Sequence, residues 1–134
     1  MNILVTGANG QLGSEIKEIS NNYSSLNLYF TNHTELDITN YNYLSTFILS
    51  KSIVCVINCA AYTDVDKAET ESVFANKVNV KGVKNIVKVL EKIDGKLIHI
   101  STDYVFDGTK RHPYNENEVA TPNTVYGKTK LDSE

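Results

Sequence analysis

The chain has 134 residues, enough for one domain around one core and too few for two independent ones. Hydrophobic residues make up 41% and charged residues 22%, a balance that excludes a disordered or collagen-like chain. A net charge of −3, with no long run of one sign, excludes a nucleic-acid or membrane-surface footprint. Apolar runs rich in β-branched residues stand at Ile3–Val5, Leu26–Phe30, Ile53–Ile57 and Leu97–Ile100. They are continuous, as in strands of a parallel sheet covered on both faces. Helical stripes separate them: Leu12, Ile16 and Ile19; Tyr41, Leu44, Phe47 and Ile48; Val83, Ile86, Val87 and Leu90. The order β-α-β-α-β-α-β implies right-handed crossovers and a Rossmann-like, doubly wound α/β sheet.

Finer features follow in chain order. Glu35–Ile38 is expected to add a short strand before a helix capped by Asn40. Gly95 is expected to close the third helix in the left-handed conformation. Residues 102–121 have no period and form a connection too long to be a mere link. Thr121 and Pro122 then read as N-cap and first residue of a helix running through Lys130. Cys55 and Cys59, four apart in one apolar run, match no zinc or redox spacing and read as free buried thiols. No metal site is expected. The longest apolar stretch falls far short of the roughly 18 residues that span a bilayer, and no leader-like segment precedes it. The expected location is therefore the cytoplasm.

Three segments carry chemistry. Gly7, Gly10 and Gly13 follow the first strand and open the first helix, where glycines let the backbone approach a dinucleotide pyrophosphate at a helix N-terminus. A merely structural turn is the alternative. After the second strand stand Thr31, Asn32 and His33, with no carboxylate to repel a 2′-phosphate and no arginine to hold one. NADPH is favoured, with NADH tolerated. His33 reads as a solvated loop residue or a phosphate contact. Asn58–Tyr62 lies at the carboxyl end of a strand, where ligands of open α/β sheets sit. Tight helix packing would also explain its alanines. Tyr126 and Lys130, four apart, share one helix face, so an ammonium can sit near a phenol and lower its pKa toward the range useful to a general acid. An isolated pair of this kind is more often an exposed helix face.

Residues 5–13 (VTGANGQLG), 58–69 (NCAAYTDVDKAE), 101–108 (STDYVFDG) and 126–131 (YGKTKL) together resemble the dTDP-4-dehydrorhamnose reductase family, a branch of the extended short-chain dehydrogenases/reductases. The resemblance implies that Thr102, Tyr126 and Lys130 form the catalytic set. It implies cofactor contacts from Gly7, Gly10, Gln11, Leu12, Asp37, Ile38, Ala60, Ala61, Tyr62, Tyr126 and Lys130, and substrate contacts from Thr102 and Asp103. Asn79 matches an asparagine of the helix after the fourth strand, although a polar helix-surface residue is an equally plain reading. The implied reaction is reduction of the 4-keto group of dTDP-4-dehydro-L-rhamnose, so the expected partner is a dTDP-4-keto-6-deoxy sugar. Another sugar-nucleotide reductase or epimerase, or a non-catalytic subunit like the regulatory β subunit of methionine adenosyltransferase, is the alternative. Residues 1–134 read as an NAD(P)-binding Rossmann domain without its C-terminal substrate part, and an unpaired sheet edge would invite association such as a homodimer. Glu15 reads as a solvated helix residue.

Overall fold

The apolar run that opens the chain forms β1 (Asn2–Thr6), with Leu4 and Val5 wholly buried. In the computed structural model, which describes residues 1–134, it is followed by α1 (Gln11–Ile19), β2 (Asn27–Thr31), α2 (Tyr41–Ser50) and β3 (Cys55–Asn58). Then come α3 (Val65–Ala68), α4 (Ser72–Asn76), a π-helical turn at Lys77–Gly82, α5 (Val83–Leu90), β4 (Lys96–His99) and α6 (Val125–Leu131). All strands pair in parallel, in the order β2-β1-β3-β4. From β1 the chain steps to β2 on one side and later crosses to β3 on the other. Right-handed crossovers therefore place α1 on one face and α2 and α5 on the opposite one. The expected doubly wound α/β sheet is the observed fold.

The core lies on the α2/α5 face. Leu4 and Val56 meet Leu44, Ile48, Ile86 and Val89 there, all without solvent exposure. Each such side chain contributes about 1.5–3 kcal/mol by leaving water. In α5 the buried stripe is Val83, Ile86, Val89 and Leu90, while Val87 faces outward. On the α1 face the expected stripe is only partly covered: Ile16 is half-buried, and Leu12 and Ile19 are exposed, as are Ile98 of β4 and Ile100.

Three local expectations are corrected. Residues 35–38 form turns, not a strand. There Glu35 accepts from the Asn32 amide at 2.9 Å and Asp37 from the Thr39 amide at 2.8 Å, and such local side-chain bonds compete with strand pairing. The left-handed residue after α5 is Asp94 (φ 51°), not Gly95. Gly95 is instead needed for space, because a Cβ there would lie 2.6 Å from Leu90 Cδ2. Finally, α6 starts at Val125, capped by Thr124, whose Oγ1 accepts from Gly127 N at 3.0 Å. Thr121 and Pro122 belong to the preceding loop. Asn40 caps α2 as expected, accepting from Tyr43 N. Both cysteines are free, Cys55 buried and Cys59 half-buried. No helix is long and apolar enough to cross a membrane.

Candidate active site

The carboxyl ends of the strands carry a cleft of about 440 Å³. Gly7 leaves β1 at φ 65°, a conformation open to glycine, and passes so close to the loop after β3 that a Cβ would lie 2.6 Å from Ala60 N. Gly13 is equally constrained, since its Cβ would lie 2.4 Å from Gly7 O. Gly10 is the N-cap of α1 and offers no side chain to satisfy the first-turn amides. Those amides and the positive end of the helix dipole suit a phosphate-bearing ligand. Gly7, Gly10, Asp37, Ile38, Ala60, Ala61 and Tyr62 all line the cleft. Gln11 and Leu12 are exposed and do not line it.

Residues that the sequence left unmarked complete the cleft walls. Phe74 and Lys77 line it, and the Tyr62 ring meets Phe74 edge-on at 5.6 Å. Tyr62 donates its hydroxyl to Glu71 at 2.7 Å. Partial desolvation, then that carboxylate, pushes its phenol up to about 12. At the end of β2, Glu35 folds back onto the Asn32 amide. An acid therefore stands beside the segment that the sequence showed without one. His33 is exposed at the cleft rim.

Asn79 is buried, not a surface residue. Its Oδ1 accepts from Tyr62 N at 2.8 Å, and its Nδ2 donates to Tyr62 O at 3.1 Å and to Thr129 Oγ1 at 2.9 Å. It thereby ties the cleft wall to α6.

The Tyr126 and Lys130 pair is not an exposed helix face. Lys130 is 3% and Tyr126 9% exposed. One carboxylate contact and one close approach fix α6: Glu69 Oε1 accepts from Val125 N at 2.8 Å, and a Cβ at Gly127 would lie 2.3 Å from Tyr104 O. This presses α6 against the single helical turn Asp103–Val105, which Thr102 caps by accepting from Tyr104 N. The Tyr104 and Tyr126 rings meet edge-on at 5.6 Å. Thr102 Oγ1 donates to Asp103 Oδ1 at 3.2 Å. Thr102, Asp103, Tyr126 and Lys130 thus come from two elements in contact. The Lys130 ammonium donates to the Ile100 carbonyl at 2.6 Å, not to the Tyr126 phenol. Burial holds its pKa below the ordinary lysine value, with Glu134 opposing the shift. Asp103 and Thr124 line a second, smaller hollow beside this helix.

A family profile described as RmlD substrate binding domain matches residues 1–134. The dTDP-4-dehydrorhamnose reductase of Aggregatibacter actinomycetemcomitans is 39% identical over 132 residues, covering 98% of this chain and 45% of the relative. The crystal structure of a dTDP-4-dehydrorhamnose reductase from Clostridium acetobutylicum superposes with a TM-score of 0.94 at 42% identity, over 99% of this chain and 47% of that one. The Bacillus anthracis dTDP-4-dehydrorhamnose reductase, solved in complex with NADP, gives a TM-score of 0.94 at 36% identity, over 98% of this chain and 47% of that one. The chain spans a little under half the length of these relatives. With the whole of its length matched and the four motifs on one sheet end, the chain belongs to the RmlD substrate binding domain family.

Proposed function

We propose that this chain is the cofactor-binding part of an NAD(P)H-dependent reductase that converts the 4-keto group of dTDP-4-dehydro-L-rhamnose to the alcohol of dTDP-L-rhamnose. The observation that carries the reading is the contact between α6, with Tyr126 and Lys130, and the Thr102-capped turn, at the sheet end that also holds the glycine loop. Gly7, Gly10, Ala60, Ala61 and Tyr62 would hold a nicotinamide dinucleotide, with Asp37 and Ile38 at its adenosine side. Gln11 and Leu12 would contribute through their backbone amides in the first turn of α1. When bound, the reduced nicotinamide supplies the hydride.

The chain's own residues handle the proton and the developing charge. Tyr126 delivers its phenolic proton to the carbonyl oxygen of the dTDP-4-keto-6-deoxy sugar, and Thr102 donates a hydrogen bond to the same oxygen as it becomes negative. Lys130 holds the nicotinamide ribose and favours the ionised phenol that proton delivery leaves behind. Asp103 accepts the Thr102 hydroxyl hydrogen bond in the free protein, a bond that Thr102 exchanges for the carbonyl oxygen when the sugar is bound, and Asp103 then meets the sugar. NADPH, with NADH accepted, is the proposed cofactor on the strength of the NADP-bound Bacillus anthracis relative, against the opposing charge of Glu35 at the β2 end. The length of the relatives and the exposed Ile98 and Ile100 support a reading in which further polypeptide completes the sugar-nucleotide pocket.

The test is NADPH oxidation by the full-length protein with a dTDP-4-keto-6-deoxy sugar, beside Tyr126→Phe. Substrate-dependent oxidation falling by about 100-fold or more in the variant is expected. Cofactor binding without net oxidation would replace the reductase with an epimerase or a regulatory subunit.

A further inference from the structure

Thr6 of β1, Asn58 of β3 and His99 of β4 occupy adjacent register positions at the carboxyl end of the sheet. Their side chains join in line. Thr6 Oγ1 donates to Asn58 Oδ1 at 2.6 Å, Asn58 Nδ2 lies 3.1 Å from His99 Nδ1, and His99 Nε2 lies 2.9 Å from Ser133 Oγ. Ser133 Oγ in turn donates to the main-chain carbonyl of Lys130 at 2.6 Å.

The direction of every bond in this row follows from its neighbour. An amide whose oxygen accepts from Thr6 presents only N–H groups to the histidine, so Nδ1 must accept. A neutral imidazole that accepts at Nδ1 carries its proton on Nε2 and donates to Ser133. The Ser133 hydroxyl is then free to donate onward to Lys130. Reversing the row would turn Ser133 toward His99 and leave its donation to Lys130 unmade. The neighbouring residue adds a second grip, because the Lys130 ammonium donates to the carbonyl of Ile100, directly after His99. Lys130 is therefore fastened to the end of β4 at both its main chain and its side-chain tip.

Resting on the reading of Lys130 as a cofactor-holding residue, we propose that His99 is a positioning residue: as the neutral Nε2–H tautomer it fixes Lys130 against β4 through Ser133, and protonation releases that hold. The charged groups facing it are Lys130 and Glu134, from α6 and the turn beyond, while β1 and β3 present only the neutral Thr6 and Asn58. Burial first and the Lys130 ammonium second push its pKa below the ordinary histidine value, with Glu134 opposing. The row is thus intact at neutral pH. Protonation keeps the Nε2–H but sets an Nδ1–H donor against the Nδ2–H donor of Asn58, which turns the ring away from Asn58 and off Ser133, so the hold is lost only on the acid side of the ordinary histidine range.

The test is calorimetric titration of residues 1–134 with NADP⁺ from about pH 8 to about pH 5. Wild-type affinity is expected to be flat near neutrality and to fall about ten-fold on the acid side, the worth of one well-made hydrogen bond. His99→Ala should bind about ten-fold more weakly at neutral pH. His99→Gln, which places an N–H near the Nε2 position and does not titrate, should recover most of that loss and flatten the acid limb. The difference between wild type and His99→Gln removes the titration of the cofactor's own 2′-phosphate. Ser133→Ala, at a half-buried position, should weaken binding by about five-fold. Nitrogen NMR should find His99 as the Nε2–H tautomer, its ring assigned among three histidines by its absence from His99→Gln. The proposal is overturned if His99→Gln keeps the wild-type acid limb, if Ser133→Ala binds unchanged, or if the ring is protonated on Nδ1. Lys130→Met separates the two levels: weakened binding with unaffected His99 and Ser133 variants defeats this proposal alone, whereas unchanged binding defeats the reading of Lys130 itself.

Discussion

Asn79 grips the main chain of Tyr62 from both sides, accepting from its N–H at 2.8 Å and donating to its C=O at 3.1 Å. A side-chain amide thereby replaces a missing strand partner just beyond β3, and its second N–H reaches Thr129 of α6 at 2.9 Å. Asn79→Ala would leave the N–H and C=O of the part-buried Tyr62 main chain without these bonds, while Thr129 Oγ1 keeps only its donation to the Tyr126 carbonyl. The expected loss is about 2–4 kcal/mol of unfolding free energy, against about 0.5 kcal/mol or less for Asn76→Ala on the exposed side of the preceding helix. Urea unfolding of both variants measures this; equal losses would show that the clasp contributes nothing.

Gly7 and Gly108 share a positive φ, 65° and 72°, yet differ in what surrounds them. A Cβ at Gly108 meets nothing within 4 Å, whereas one at Gly7 lies 2.6 Å from Ala60 N. Gly108→Ala therefore reports the backbone cost alone, about 1 kcal/mol. Gly7→Ala adds a main-chain clash and should cost about 3 kcal/mol or more. Thermal unfolding compares them; a Gly7 variant as stable as the Gly108 variant would mean the two loops are not in the contact described.

The sheet was legible because its strands are continuous apolar runs, and α2 and α5 because Leu44, Ile48, Val83 and Ile86 keep helical spacing. What failed to show was decided by contacts distant in sequence or by local competition. Residues 35–38 look like a strand, but Asn32, Glu35 and Asp37 spend their polar groups on turns. Thr121-Pro122 has the composition of a helix start. The real start is fixed by Glu69, 56 residues away, accepting from Val125 N. The glycines and the Tyr126 and Lys130 pair were visible as motifs. The bond from Lys130 to Ile100, and the row through His99, were not, because no short-range pattern encodes which strand end lies beneath α6.

Tyr62 should titrate above the ordinary phenol range. Its folded pKa of about 12 stands above the ordinary value of 10.0, so the folded state holds the proton more tightly than the unfolded one. The resulting stability is fully present below pH 10 and is lost as pH rises toward about 12. Spectrophotometric titration should show a late phenol that disappears in Tyr62→Phe. Glu71→Gln, which removes the carboxylate and keeps an acceptor, should move that phenol back toward the ordinary range. A late phenol that survives Tyr62→Phe would assign it to another tyrosine.

Glu35 bears on cofactor choice. Its carboxylate accepts from the Asn32 N–H at 2.9 Å, at the end of β2, where Rossmann domains meet the adenosine ribose. A negative charge there disfavours a 2′-phosphate, and the only arginine of the chain, Arg111, lies in the loop before α6. Glu35→Gln keeps an acceptor for the Asn32 amide and removes the charge, so the turn should persist while NADP⁺ gains over NAD⁺. The Kd ratio is expected to shift toward NADP⁺ by about three- to ten-fold at low ionic strength and by less in high salt, as for an exposed charge. Calorimetric Kd values for both nucleotides in two salt concentrations measure it. A ratio unmoved by the substitution would place the 2′-phosphate away from the β2 end and leave cofactor preference to other lining residues such as Lys77.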